Sequence, residues 1–306
     1  MSSRVLTEAP PLARPRVVDY VDLTKPRIAL LVLFTVAAGV LLAAGSKPDL
    51  LLLLNTVGGT ALVAAGASAL NQWLERQSDA RMRRTENRPL PSGRLQSVEA
   101  LVFGGLLGVA GVVYLALMLP KPWAAVVAAV TFVGYVFVYT PLKSRTSLNT
   151  LVGAVPGALP PIIGWVAVRG EITGEAVALF LILFLWQVPH FLAIAWIYRE
   201  DYGRAGLKML PVVDPSGLMT GQRMIIYCLV LIAASLLPVQ LGDAHLLYFG
   251  GAVALGLLFL ASAVWFLWDR TLKSARRVLR ASLAYLPGLL LLWLIDGALT
   301  WLATAR

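Results

Sequence analysis

Eight stretches of this chain run for 19 to 25 residues without a single Lys, Arg, Asp or Glu: 28–46, 50–74, 100–120, 122–142, 146–168, 176–198, 224–242 and 244–268. A ninth, 281–305, is interrupted only by Asp296. A helix rises about 1.5 Å per residue and the hydrocarbon core of a bilayer is about 30 Å thick, so each run is long enough to cross once and too short to cross twice. Barrel strands would be about half as long and would alternate in polarity. The expected fold is therefore all-α: a polytopic integral membrane protein, a bundle of nine transmembrane helices. The expected organisation is a short cytoplasmic tail over 1–19 and one intramembrane domain over 20–306.

The basic residues orient the bundle. Of 26 Lys and Arg, 22 fall in the N-terminal segment and the alternate connections after it, and only Lys47, Lys121, Arg169 and Arg306 fall on the other side. The positive-inside rule then places the N-terminus inside and the C-terminus outside. A missed or extra span would scramble this bias. Topology and anionic lipid account for the net charge of +10, so no nucleic acid is called for. Cys228 is the single cysteine, which excludes an internal disulfide. The segment before Tyr20 carries Glu8 and Asp19 and is short for a transit peptide. That favours a bacterial cell inner membrane over a mitochondrial one.

Two long inner connections, 75–99 and 199–223, each start with acids at a helix end and continue into a basic stretch, as a weak internal repeat would. In the first, Asn71, Glu75 and Asp79 are spaced i, i+4, i+8, which on a helix confines them to an arc of about 80°. Two carboxylates and an amide make an oxygen-only site suited to Mg²⁺, which uses one or two carboxylates plus waters and substrate phosphates. A solvated helix end, with Glu75 and Asp79 paired to Arg76 and Arg83, fits the spacing equally well. In the second connection, Glu200 and Asp201 are adjacent and point about 100° apart, so one could ligate while the other pairs.

Arg83, Arg84 and Arg88 lie just beyond the first cluster, Arg199 precedes the second, and Lys143 follows the fourth span with Tyr139 one turn before it. Guanidinium and ammonium groups are what a diphosphate needs when metal neutralises only part of its charge. The positive-inside rule also puts basic residues here, so location alone does not assign them. Tyr139 and Phe137 offer aromatic faces to a carbocation. His190 is placed roughly 12 Å deep in the sixth span. An ionisable residue at such depth is functional by default, the rival being a neutral His bonded to a neighbouring helix or to a carbonyl freed by Pro189. The fifth span holds Gly153, Pro156, Gly157, Pro160, Pro161 and Gly164, which fits a kink that opens a cavity or close packing through glycine. His245 and Asp296 belong to the outer side, where interfacial or packing roles suit them.

Asn71-x-x-x-Glu75-x-x-x-Asp79, followed by Arg84-Thr85 and Arg88-Pro89-Leu90-Pro91-Ser92-Gly93, resembles the first signature of the UbiA superfamily of intramembrane prenyltransferases. Glu at 75, where the superfamily usually has Asp, resembles its protohaem farnesyltransferase branch. So do Asp22–Arg27, Tyr139–Lys143, Trp186–Phe191, and Glu200-Asp201-Tyr202 with Ala205-Gly206 and Met209-Leu210-Pro211. The resemblance runs from about residue 19 to the end. It implies Mg²⁺ as cofactor, farnesyl diphosphate as donor and protohaem IX as acceptor within the lipid bilayer. It also leaves room for a haem A synthase or oxidase-assembly partner. By the resemblance, Asn71, Glu75, Asp79 and Lys143 are catalytic, with Mg²⁺ on Asn71, Glu75, Asp79, Glu200 and Asp201. Arg83, Arg84, Arg88, Lys143 and Arg199 hold the diphosphate, and His190, Tyr139, Tyr198 and Tyr202 hold haem or isoprenoid. Where the superfamily has a second pair of Asp four apart, this chain has Tyr198 and Tyr202. Three other functions remain open: a prenyltransferase for an aromatic or quinone precursor, a secondary transporter, and a non-catalytic haem-binding subunit.

Overall fold

The structure, a computed structural model, describes residues 15–304. The first fourteen residues of the expected tail, with Arg4, Glu8 and Arg14, and Arg306 lie outside the described residues. Among the described residues there are helices and no strand, and nine helices are long and apolar enough to cross a membrane. The eight uncharged runs and the ninth, interrupted by Asp296, are thus nine helices among the described residues.

A short helix, α1 (Arg16–Thr24), precedes the spans α2 (Pro26–Ala44), α3 (Leu50–Asp79), α4 (Ser97–Met118), α5 (Trp123–Leu142), α6 (Asn149–Arg169) and α7 (Gly174–Ile197). Two short helices, α8 (Arg199–Arg204) and α9 (Leu210–Val213), follow. The chain closes with the spans α10 (Leu218–Gln240), α11 (Leu246–Asp269) and α12 (Leu272–Thr304). The 30 residues of α3 reach about 45 Å, more than the hydrocarbon core needs, so its last turns stand clear of the apolar region on the basic face. Asp49 starts this helix by accepting from the backbone N–H groups of Leu51 (2.8 Å) and Leu52 (3.1 Å).

The middle of the bundle is α6 and α7, the most buried of the spans. Both expectations for α6 hold together. The helix is interrupted at Leu159, before Pro160 and Pro161, and its glycines let neighbours in. A Cβ on Gly164 would stand 2.2 Å from the carbonyl oxygen of Val36, and one on Gly39 would stand 2.1 Å from that of Pro161, so α2 and α6 touch backbone to backbone. Gly164→Ala is expected to destabilise the protein by about 1–3 kcal/mol, because backbone atoms cannot step aside. Gly105→Ala, where nothing lies within 4 Å, should leave the melting temperature in detergent unchanged or raised. Equal melting temperatures for the two variants would contradict this packing.

Within α5, residues Gly134–Tyr139 wind as a π-helix. Tyr135, Tyr139 and Lys143, spaced by four, share the face that lines the cavity. Phe137, two residues from each tyrosine, lies on the other face and is 55% exposed. The second aromatic face toward the interior is therefore that of Tyr135 and not of Phe137.

Candidate active site

Asn71, Glu75 and Asp79 stand on successive turns of α3 and open into one cavity of about 180 Å³ on the basic face. The helix runs unbroken to Asp79, so the face inferred from spacing exists. Each of the three already holds a cation. Lys25 Nζ donates to Asn71 Oδ1 at 2.9 Å, and Arg88 Nη1 donates to Asp79 Oδ2 at 2.7 Å. Lys143 Nζ lies 2.6 Å from Glu75 Oε1, an ion pair by distance whose angle falls outside hydrogen-bond geometry. The wall opposite α3 comes from Phe191 and Ile194 of α7, and from Tyr202; Tyr135 and Tyr139 close one side.

The chain positions these groups by contacts distant in sequence. Gln72 Nε2 donates to the carbonyls of Asp22 and Leu23, and Arg94 Nε donates to Asp19 at 2.8 Å, which docks α1 on the basic face. Lys25 then joins α1 to α2 in a left-handed conformation (φ 49°, ψ 58°), which a non-glycine residue adopts at a cost. Asn71 Nδ2 donates to Thr140 Oγ1, which donates to the carbonyl of Tyr135, tying α3 to the π-turn. Thr85 Oγ1 donates to the carbonyl of Asp79 at 2.8 Å and folds the following connection back, so that Arg84 and Arg88 return to the cavity.

The electrostatics follow from burial. Burial, reinforced by nearby Arg88, pushes the Lys25 ammonium down to about 7. Burial alone would lower Lys143 too, but Glu75, helped by Tyr139 and Tyr135, outweighs it and holds that ammonium well above its ordinary value. Lys143→Met is expected to cost about 3–5 kcal/mol of stability, since it strands the Glu75 carboxylate without its partner. Glu75→Gln combined with Lys143→Met should recover the melting temperature and leave activity absent. A double variant as unstable as the single one would show that the pair is not coupled.

A larger cavity, about 610 Å³, opens at the opposite end of the bundle. It sets Arg169 against Glu171, Glu175 and Asp243, the wrong sign for an anionic substrate. His245 and Asp296 belong there, and Asp296 accepts from the backbone N–H groups of His245 and Tyr248 to cap α11.

Residues 32–303 match the model of the UbiA prenyltransferase family. The chain belongs to that family. It is 49% identical over 287 residues to the protoheme IX farnesyltransferase of Solibacter usitatus, covering 91% of this chain and 98% of the relative. It is 47% identical over 282 residues to that of Salinibacter ruber, with the same coverage of 91% and 98%. A digeranylgeranylglyceryl phosphate synthase structure shares the fold with TM-score 0.74 at 19% identity, over 92% of this chain and 98% of that one. So does a UbiA homologue from Archaeoglobus fulgidus bound to DMAPP and Mg²⁺, with TM-score 0.60 at 15% identity, over 89% of this chain and 99% of that one.

As a UbiA family member the chain can be tested for metal on its own atoms. Asp79 Oδ1 is buried and accepts no hydrogen bond, which leaves an anionic oxygen for a cation. Among the described residues no group of three or more His, Cys, Asp or Glu could hold a metal ion. Two carboxylates and an amide therefore fit an ion that completes its shell with water and substrate oxygens, as Mg²⁺ does.

The other expected site residues divide. Arg84, Arg88, Lys143, Tyr139 and Tyr202 line the cavity with the α3 oxygens. Arg83 is exposed and not part of the lining. Arg199 stacks on Trp196 (4.5 Å) and donates to its carbonyl. Glu200 is exposed and Asp201 pairs with Arg204, so neither faces the α3 oxygens. Between α7 and α8, Tyr198 leaves helical geometry (φ −108°, ψ 21°). His190 lies one turn deeper than Ile194, beside the cavity and not in its lining. Its Nδ1 is 2.7 Å from Ser282 Oγ, and its ring stacks on Trp186 at 4.7 Å. The carbonyl freed by Pro189 is not its partner. Lys25, Tyr135, Thr140 and Ser282 were not singled out from sequence. Lys25 and Thr140 left a signal, since both fall inside the stretches Asp22–Arg27 and Tyr139–Lys143 that carry the family resemblance.

Proposed function

We propose that this chain transfers the farnesyl group of farnesyl diphosphate to a vinyl group of protohaem IX, giving haem O and diphosphate, with Mg²⁺ assisting departure of the diphosphate. The observation that carries the reading is the cavity itself: an oxygen-only face on α3, four cations around it, and two tyrosine rings beside it. Relatives named protoheme IX farnesyltransferase, at 39–49% identity, support haem as acceptor. Solved relatives bound to DMAPP or GPP with Mg²⁺ support an allylic diphosphate as donor. The cavity opens on the face with 20 of the 23 described Lys and Arg residues, which supports a cytoplasmic mouth in a bacterial inner membrane.

The chemical problem is to break an allylic C–O bond among apolar helices. Lys25, Lys143 and Arg88 now hold oxygens of Asn71, Glu75 and Asp79, and a diphosphate seated between them exchanges its own oxygens for these partners. Mg²⁺ held by Asn71, Glu75 and Asp79 would supply Lewis-acid neutralisation of the leaving group. As the bond breaks, charge grows where these cations already point, and in a partly dry site they act more strongly than in water. Tyr135 and Tyr139, with ring centres 5.5 Å apart, present π faces worth about 0.5–2 kcal/mol each to an allylic cation. Ile28, Phe191, Ile194 and Leu207 provide the apolar wall for the isoprenoid. The vinyl π electrons then form the new C–C bond, water adds to the cation left on the other vinyl carbon, and its loss of one proton to solvent gives the hydroxyl of the product.

His190 is suited to haem by its tautomer. Ser282 Oγ lies 2.7 Å from both the carbonyl of Leu279 and His190 Nδ1. With its proton given to the carbonyl, it accepts from His190 Nδ1–H, and Nε2 carries a lone pair. That tautomer suits a haem iron and not a propionate, which needs a donor.

Mass spectrometry of haem after incubation with farnesyl diphosphate and Mg²⁺ tests the reading. A haem heavier by a farnesyl group plus a hydroxyl is expected. Unmodified haem, with prenylation of 4-hydroxybenzoate in competition, would move the acceptor to an aromatic precursor. Intact diphosphate throughout would remove the prenyltransferase reading.

A further inference from the structure

The cation arrangement across the cavity from α3 bears on how many metal ions the site takes. Tyr198 and Tyr202, one turn apart, hold a guanidinium between them. Arg84 Cζ lies 4.9 Å from the centre of the Tyr198 ring and 5.2 Å from that of Tyr202, and Arg84 Nη2 donates to the Tyr202 hydroxyl at 3.0 Å. Stacking and a hydrogen bond together fix the plane of the guanidinium, which a single contact would leave free to rotate. Arg84 and Tyr202 both line the cavity. The two carboxylates nearest in sequence do not: Asp201 is paired with Arg204 and Glu200 is exposed.

We propose that this site binds its diphosphate with one divalent ion, on Asn71, Glu75 and Asp79, and that Arg84 clamped by Tyr198 and Tyr202 is the second positive centre on the opposite side. The proposal rests on the prenyl diphosphate reading given above. It reassigns Tyr198 and Tyr202 from contacts with haem or isoprenoid to the positioning of Arg84.

Charge arithmetic points the same way. Two carboxylates and four basic groups, Lys25, Arg84, Arg88 and Lys143, line the cavity and leave it with two formal positive charges when Lys25 is protonated. An ionised diphosphate ester brings about three negative charges, and one divalent ion leaves the assembly about one unit positive at most. A second ion would add about two more beside Lys25 and Lys143, both half-buried, where like charges repel more strongly than in bulk water. No oxygen anion on the far wall would offset it. A guanidinium also differs from a metal in keeping two donors in one plane, which fits two oxygens of one phosphate.

The test is Mn²⁺ titration of the full-length protein in lipid nanodiscs, followed by electron paramagnetic resonance, with farnesyl S-thiolodiphosphate as the non-ionising ligand. One Mn²⁺ per chain, with no Mn–Mn coupling, is the expected result. Two Mn²⁺ per chain with dipolar coupling overturns the proposal and leaves the prenyl diphosphate reading standing. Failure to bind the analogue at any Mn²⁺ concentration overturns both. Arg84→Ala should weaken the analogue about tenfold or more with the Mn²⁺ count still at one. Tyr202→Phe, which removes one hydrogen bond and keeps the ring, should weaken it by a smaller factor. If Arg84→Ala binds the analogue as the parent does, Arg84 is not the second centre.

Discussion

Asp79→Asn is expected to lower turnover by roughly 10³-fold while the protein still inserts and folds. The substitution keeps the shape of the side chain and one acceptor oxygen. Arg88 Nη1, 2.7 Å from Asp79 Oδ2, therefore retains a partner, and the bond from Thr85 Oγ1 goes to the backbone carbonyl of residue 79 and is untouched. What is lost is the anionic charge beside the unpartnered Oδ1. A loss of this size corresponds to about 4 kcal/mol of transition-state stabilisation, a magnitude in keeping with removing one charged group from a partly dry site. Two measurements separate chemistry from folding: farnesyl transfer under saturating substrates, and Mn²⁺ affinity by paramagnetic resonance. Both should fall, with circular dichroism and elution profile unchanged. Parental turnover in this variant would take Asp79 out of the reaction.

His190→Ala is expected to abolish haem ligation, seen as loss of the Soret shift that accompanies haem binding, and to reduce farnesyl transfer to haem in step. When the Ser282 hydroxyl donates to Leu279 it accepts from His190 Nδ1, and the lone pair then falls on Nε2 of a ring held between α7 and α12. Trp186 secures the ring from one face and is itself held by a 2.8 Å bond from its Nε1 to the Ser282 carbonyl. Ser282→Ala removes the acceptor and frees the tautomer, and a loss of about 10-fold in haem affinity is expected. Truncating an imidazole leaves a small void against Trp186, so thermal unfolding serves as the control. An unchanged haem spectrum in His190→Ala excludes iron ligation. An unchanged spectrum in Ser282→Ala with loss in His190→Ala would show that the tautomer is set by something other than Ser282.

These two residues show how unevenly a sequence reports on a site. Asp79 was readable: its spacing from Asn71 and Glu75 is a property of one helix, and the helix extends as far as the argument required. His190 was readable as an unusual residue at depth, but its partner stands 92 residues away on α12. No periodicity connects the two. The acids at 200 and 201 show the opposite case. Their place after a span resembled that of Glu75 and Asp79, yet Glu200 is exposed, Asp201 pairs with Arg204, and neither lines the cavity. Tyr135 takes the place expected of Phe137 because residues two apart on a helix face opposite ways, and hydrophobic patterning in a span that is apolar all round does not say which face turns inward.

By itself the sequence determined the number of spans, the face that carries the charge, and the ladder of oxygens on α3. Those features are local: they follow from bilayer thickness, helix rise and the 3.6-residue turn, all of which read along the chain. Tertiary structure alone decided which cation meets which oxygen. Lys25 reaches Asn71 across 46 residues, Lys143 meets Glu75, and Arg84 crosses to Tyr202 over 118. The basic residues of this face are alike to the positive-inside rule, and they become distinct only when helix packing brings one of them within 3 Å of an acid and turns another to solvent. That packing is set by backbone contacts such as Gly39 against Pro161 and Gly164 against Val36, where the absence of a side chain is what the fold uses.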